Sequence, residues 1–212
     1  CLECHQETLY RPIDPEAKMP PFVSLTTVSE SVHGRNGVAC AHCHTEATEV
    51  PHPPDMEAYT CSDCHEPSLI EYRKSIHGTA REQEITEAAR CIDCHGAHDI
   101  YEQTHPRSRT HQTNMDKTCL KCHTSDEMAE RFNFTRFHIG EEYEQSVHAR
   151  MVAAGHEEAA TCNNCHGAHN IQPSRDPESW VNHWNIPETC GKCHWVVRTE
   201  YFESIHGKNF QA

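Results

Sequence analysis

Residues 91–98 read Cys91-Ile92-Asp93-Cys94-His95-Gly96-Ala97-His98, with Ser75-Ile76-His77-Gly78 a short way upstream. Cys-x-x-Cys-His is the sequence through which c-type haem is attached: two thiols bond the porphyrin vinyl groups and the histidine ligates the iron. The pattern occurs seven times, as Cys1/Cys4/His5, Cys40/Cys43/His44, Cys61/Cys64/His65, Cys91/Cys94/His95, Cys119/Cys122/His123, Cys162/Cys165/His166 and Cys190/Cys193/His194. These seven motifs use all fourteen cysteines. Zinc sites need no histidine after every cysteine pair, and a redox-active disulfide needs one copy, so the repetition selects haem. Seven covalently attached c-type haems are expected.

Composition agrees with a chain built around large cofactors. Of 212 residues only 36% are hydrophobic, cysteines included, and the mean hydropathy is −0.78. Such a chain has too few apolar side chains to offset its ordering entropy with a core of its own. Seven apolar macrocycles would supply one. The expected fold is therefore mostly irregular with short α-helices, the haems forming the core, and the haem-free chain unfolded. The net charge of −14 argues against nucleic acid and anionic membrane surfaces as partners and suits basic redox proteins or cationic metal species. No run of eighteen apolar residues exists, so no transmembrane segment is expected. The chain opens on Cys1 inside a motif and shows no leader, which points to sequence removed upstream.

An internal duplication organises the rest. His77, Cys91, Cys94, His95, His98, Cys119 and Cys122 recur 71 residues later as His148, Cys162, Cys165, His166, His169, Cys190 and Cys193. CHGAHDI at 94–100 matches CHGAHNI at 165–171. One unit reads SxHG, CxxCHGAH, CxxCH, then a helix leading to the next SxHG. The tetrapeptides are Ser31-Val32-His33-Gly34, Ser75-Ile76-His77-Gly78, Ser146-Val147-His148-Ala149 and Ser204-Ile205-His206-Gly207. Helices are expected over 69–74, 141–145 and 197–202, with a tyrosine five residues before each histidine and glycine stopping the helix after it. The divisions are an N-terminal haem segment (1–30), a short two-haem repeat (31–74), a two-haem repeat with an insertion near 126–139 (75–145), a further two-haem repeat (146–203) and a distal-histidine segment (204–212), all in one continuous haem-wrapped domain. Proline-rich or polar links are expected at 50–55, 103–110 and 172–179.

Seven proximal ligands follow from the motifs: His5, His44, His65, His95, His123, His166 and His194. Seven repeated or positionally equivalent histidines are the distal candidates: His33, His52, His77, His98, His148, His169 and His206. Their equality predicts two axial imidazoles on every iron. His95 and His98 lie three residues apart, on one face if the helix continues, so His98 is expected to serve a different haem from His95, and His169 from His166. His77 lies twelve residues past His65, about 18 Å along a continuous helix, so these two are expected on different irons. His42, His105, His111, His138, His156 and His183 lack repeat counterparts and are expected in surface or hydrogen-bonding roles, with His111 and His138 in reserve for His52.

The alternation of SxHG, CxxCHGAH and CxxCH over nearly the whole chain resembles multihaem c-type cytochromes of anaerobic respiration. That resemblance implies one-electron transfer in the periplasm, at the cell exterior or along cytochrome filaments, with redox proteins or extracellular acceptors as partners. Catalytic relatives reduce or oxidise small nitrogen or sulfur oxyanions at one open haem. Those that resemble nitrite reductases mark that haem with lysine in place of the motif histidine, and no motif here ends in lysine. The expected role is an electron conduit rather than an enzyme. The chain opens on the tail half of a repeat and closes on the opening of another, which is expected either of an excerpt of a longer cytochrome or of a head-to-tail assembly or filament in which His206 reaches a terminal haem of a second copy.

Overall fold

The computed structural model describes residues 5, 22–47, 49, 52, 61–132 and 138–211. Cys1, Cys4, the proline-rich segment at 11–21 and most of the 50–55 link lie outside the described residues. The helices are short, as expected, and no strand occurs among the described residues. They are α1 (Leu25–Glu30), α2 (Val32–Arg35), α3 (Cys40–Cys43), α4 (Glu66–Lys74), α5 (Ile76–Glu82), α6 (Cys91–His95), α7 (Met115–His123), α8 (Asp126–Phe132), α9 (Ile139–Glu144), α10 (Val147–Ala153), α11 (Cys162–His166), α12 (Ile186–Gly191), α13 (Trp195–Glu203) and α14 (Ile205–Gln211). The insertion near 126–139 contributes α8. Two compact units result, one of Cys1–Glu66 with Arg90–Asn114 and the other of Pro67–Ala89 with Met115–Ala212.

Each SxHG tetrapeptide is a joint between two helices, and here the structure corrects the sequence reading. The histidine does not end the first helix; it is the second residue of a new one. The serine is the N-cap, its Oγ accepting from the backbone N–H three residues on: Gly34 to Ser31 at 3.0 Å, Gly78 to Ser75 at 3.1 Å, Ala149 to Ser146 at 3.1 Å and Gly207 to Ser204 at 3.2 Å. A serine side chain that satisfies an orphan amide is a helix start, not a stop. At three joints the hydroxyl also donates back to the previous helix, to Val28 O, Tyr72 O and Tyr201 O at 2.7, 2.7 and 2.6 Å. The glycine is required by close approach: a Cβ on Gly34, Gly78 or Gly207 would strike the carbonyl oxygen of Val28, Tyr72 or Tyr201. Ala149 fills that position in the third joint, where the backbone N–H of Ser146 donates to Tyr143 O at 2.8 Å and, among the described residues, its hydroxyl makes no such bond back.

Other contacts recur at the 71-residue period. Tyr72 Oη donates to Ala89 O at 2.6 Å and Tyr143 Oη to Ala160 O at 3.2 Å, tying the joint to the chain two residues before the next motif. The links at 103–110 and 172–179 are successive turns knotted by an asparagine. Asn114 Nδ2 donates to Pro106 O and Ser108 O at 2.8 and 2.9 Å, and Asn185 Nδ2 to Pro177 O and Ser179 O at 2.7 and 2.9 Å. The buried apolar side chains among the described residues are only Tyr101, Met115, Ala129 and Val152, whereas Trp184, Trp195, Val197 and Ile205 are more than half exposed. No helix among them is long and apolar enough to cross a membrane.

Candidate haem-binding sites

Three of the attachment motifs form single helical turns. α3, α6 and α11 each start on the first cysteine, so the second cysteine and the histidine, three and four residues on, stand on the same face. These turns are capped by a device the sequence reading missed. The residue before the second cysteine reaches back to the N-cap amide: Ala39 N–H donates to His42 Nδ1 at 3.0 Å, Arg90 N–H to Asp93 Oδ2 at 2.8 Å and Thr161 N–H to Asn164 Oδ1 at 2.8 Å. The signal was present, since both variable positions of the motif are free to be polar, and it explains why His42 has no repeat counterpart.

Glycine follows the histidine in CxxCHGAH for a conformational reason. Gly96 and Gly167 have φ of 86° and 84°, a left-handed region that costs other residues about 1–2 kcal/mol. The helix therefore stops at His95 and at His166, and His98 is delivered by a turn rather than along one helical face. Ala97 N–H and Arg109 Nη2 both donate to the Asp99 carboxylate, at 3.2 and 3.0 Å, holding that turn.

Five proximal histidines each face a distal candidate. Ring centroids are 6.2 Å apart for His5 and His52, 6.0 Å for His33 and His65, 6.0 Å for His44 and His98, 6.1 Å for His77 and His123, and 6.0 Å for His148 and His194. That spacing lies toward the wide end for aromatic ring pairs. Two metal–imidazole bonds of about 2.0–2.1 Å plus about 1.1 Å from each nitrogen to its ring centroid give about 6.3 Å. The side chains present thus fit a six-coordinate iron in five places. The buried Nδ1 of His52 has no hydrogen-bond partner among the described residues, a further sign that this ring is held for something other than protein. His77 faces His123 rather than His65, and His98 faces His44 rather than His95.

Burial and the neighbouring ring of the pair lower the pKa of His33, His77 and His98, and burial followed by the charge of His166 lowers that of His123. Burial alone lowers that of His166. Each of these rings is biased toward neutral imidazole, the form with a lone pair for a metal. His169 differs, with the Glu71 carboxylate 3.9 Å from its Nδ1. His206 is exposed, while His33, His77 and His148 are half-buried.

Cysteines of successive motifs lie against one another within each unit. Burial, then the charges of Cys64 and Cys40, push up the Cys43 thiol. Burial and then Cys91 push Cys61 up to about 11, with a Cys61–Cys91 sulfur contact. In the second unit a bond to Cys119 lowers Cys162, and burial followed by Cys190 raises Cys165. The second, third and fourth motifs are thus neighbours in one unit, and the fifth, sixth and seventh in the other. An apolar cavity of about 320 Å³ opens beside Cys190 and His194, lined by Ile186, Pro187, Val197 and Tyr201. A more polar one of about 710 Å³ opens beside His98, with Tyr101, Arg107 and Arg109 on its wall.

The remaining histidines do other work. His105 stacks on Tyr101 at 4.6 Å, buried His111 shares a 2.9 Å bond with Thr113, and His183 packs on Trp184 at 4.3 Å. His138 and His156 lie 3.2 Å from Glu141 and Glu158.

The model of the cytochrome c3 family matches residues 32–105, a stretch holding three attachment motifs together with His33, His52, His77 and His98. That match supports a multihaem c-type cytochrome. Neither the comparison with curated proteins nor that with solved structures returned a match.

Proposed function

We propose that the chain is a heptahaem c-type cytochrome acting as a one-electron conduit in periplasmic or extracellular electron transfer. The observation that carries this is the set of five imidazole pairs at 6.0–6.2 Å, each built from a motif histidine and a distant one. Bound at the motifs, each haem supplies a ferric–ferrous couple.

The protein's part is ligation, spacing and electrostatics. Cys40, Cys43, Cys61, Cys64, Cys91, Cys94, Cys119, Cys122, Cys162, Cys165, Cys190 and Cys193, with Cys1 and Cys4 outside the described residues, hold the macrocycles. His44, His65, His123, His194 and His5 hold one axial position; His98, His33, His77, His148 and His52 hold the other. His95 and His166 are the remaining proximal ligands, and His169 stands in its repeat as His98 does one unit earlier. The cysteine contacts between consecutive motifs would bring the attachment points of successive haems together within each unit, as electron exchange between them would need. Paired neutral imidazoles and a net charge of −14 favour the ferric state and so a low potential. Tyr101, whose buried hydroxyl has no partner among the described residues, offers a donor to a haem propionate beside Arg107 and Arg109. The few buried apolar side chains accord with macrocycles serving as the core.

Reductive titration of the matured protein tests this reading: seven electrons per chain are expected, accompanied by low-spin haem spectra. Uptake of four or fewer would overturn it.

A further inference from the structure

The third, fifth and seventh motifs are the second attachment site of their repeats, and they are built alike. In each, the proximal histidine faces the histidine of an upstream SxH joint: His65 with His33 at 6.0 Å, His123 with His77 at 6.1 Å and His194 with His148 at 6.0 Å. Each motif is also a closed turn. His65 N–H donates to Cys61 O at 3.0 Å and His194 N–H to Cys190 O at 2.9 Å, while Cys119 to His123 form the end of α7. The residue before the second cysteine therefore takes the same place in all three. It stands two residues from the proximal histidine, so the two Cα atoms lie within about 8 Å of one another.

What differs is the charge at that place. It holds Asp63 in the third motif, Lys121 in the fifth and Lys192 in the seventh, and the residue after the proximal histidine is Glu66, Thr124 and Trp195 in turn. The third site thus carries two carboxylates where each of the others carries one ammonium. Among the described residues no opposite charge pairs with Asp63, Glu66, Lys121 or Lys192; Asp63 accepts from the neutral Ser62 hydroxyl at 3.1 Å. Lys192 is held in place, its Nζ 3.3 Å from the centre of the Trp180 ring. Burial and Cys190 raise the Cys165 thiol and the Lys192 ammonium opposes them, so a charge at this place is felt at an attachment sulfur. Other charges nearby cancel: Arg198 pairs with Glu188 beside the seventh motif, and Asp116 and Lys117 are neighbours at the start of α7. Exposure does not separate the third site from the seventh, since in both the proximal histidine is exposed and the distal one half-buried. Net charge per motif is the same in the two units, so local placement decides.

We propose that Asp63, Glu66, Lys121 and Lys192 set the order in which these sites take up electrons. The haem on Cys61 and Cys64 accepts last of the three, and those on Cys119 with Cys122 and on Cys190 with Cys193 accept first. Reduction adds one electron to a ferric iron and removes one positive charge there, with no bond made or broken. A neighbouring carboxylate opposes that change and a neighbouring ammonium favours it. Three unit charges of difference, at about 10 Å in nearly aqueous surroundings, amount to about a tenfold difference in the ferrous-to-ferric ratio, or about 59 mV for a one-electron couple. Among these three sites electrons therefore rest in the second unit, and the third motif holds the stronger reductant, the site best able to serve an acceptor of low potential. This rests on the conduit reading above.

The test titrates the matured 212-residue chain with dithionite and redox mediators at low ionic strength, each site being followed through its assigned haem methyl resonances by NMR. Half-reduction of the third-motif haem is expected about 59 mV below that of the seventh. In 1 M salt, where the Debye length falls to about 3 Å, the gap should collapse. Asp63→Lys should raise the ferrous-to-ferric ratio of the third-motif haem severalfold at a fixed potential and leave the seventh unchanged. Lys192→Asp should lower that of the seventh and leave the third unchanged. Equal half-reduction, the reverse order, a gap indifferent to salt, or sites indifferent to these substitutions would each overturn the inference while leaving the conduit intact. If a variant does not mature, the salt dependence of the unaltered chain decides alone. A matured chain without haem at the third or the seventh motif would defeat the conduit reading and this inference together.

Discussion

Replacing Ser75 by alanine strikes the joint that aims His77. Ser75 is almost wholly buried, accepts from Gly78 N–H at 3.1 Å and donates to Tyr72 O at 2.7 Å. Losing the N-cap costs about 1 kcal/mol. Losing the second bond costs about another 1 kcal/mol, and no more, because Ser75 N–H still donates to Tyr72 O at 2.9 Å. The equivalent Ser146→Ala loses the cap alone, about 1 kcal/mol. For a chain of this length each kcal/mol moves the thermal midpoint by about 2–4 °C, so about 4–8 °C is expected for Ser75→Ala and half that for Ser146→Ala. Paired melts of the haem-loaded variants, followed by far-UV circular dichroism under one set of conditions, measure the difference. Equal shifts, or a larger one for Ser146→Ala, would refute the claim that the back-bond to the preceding helix stabilises the joint.

Further outcomes follow from other contacts. His98→Ala should remove the second ligand from the haem held by His44 and leave that of His95 unaltered, which resonance assignment of the haem methyls by NMR resolves; perturbation of the His95 haem alone would contradict the pairing. Tyr72→Phe should destabilise by about 1 kcal/mol and more than Tyr143→Phe, in line with their 2.6 and 3.2 Å bonds, as read from chemical unfolding midpoints. Burial lowers the folded-state pKa of His33, His77 and His98 below the ordinary 6.5. The unfolded chain therefore binds more protons between the two values, and this stability is complete above pH 6.5 and lost as pH falls through the folded values. Acid titration followed in the visible spectrum should show low-spin haem giving way only below that pH. Greater stability at pH 5 than at pH 7 would contradict the sign.

The sequence made the short-helix fold legible because seven motifs leave too few apolar residues for any other core. The 71-residue period likewise placed the tyrosines, the joints and the paired links, since identical local patterns solve identical local problems. What escaped was backbone detail. Glycine after the histidine suits a helix end, but Ser75 and its equivalents make stronger start signals, and the glycine serves the approach of Tyr72 O. The one-face relation of His95 and His98 holds only if the helix continues, and Gly96 breaks it with φ of 86°. Which distant histidine meets which motif depends on how the chain returns on itself, and spacing alone carries no such information.

The central claim is that every Cys-x-x-Cys-His in the chain carries a haem, and intact mass measured under denaturing conditions tests it most directly. The polypeptide of 24.2 kDa should appear heavier by seven haem groups bound through thioethers, with no species retaining free thiols. A matured protein heavier by six groups or fewer, or one whose added mass is lost on denaturation, would contradict it.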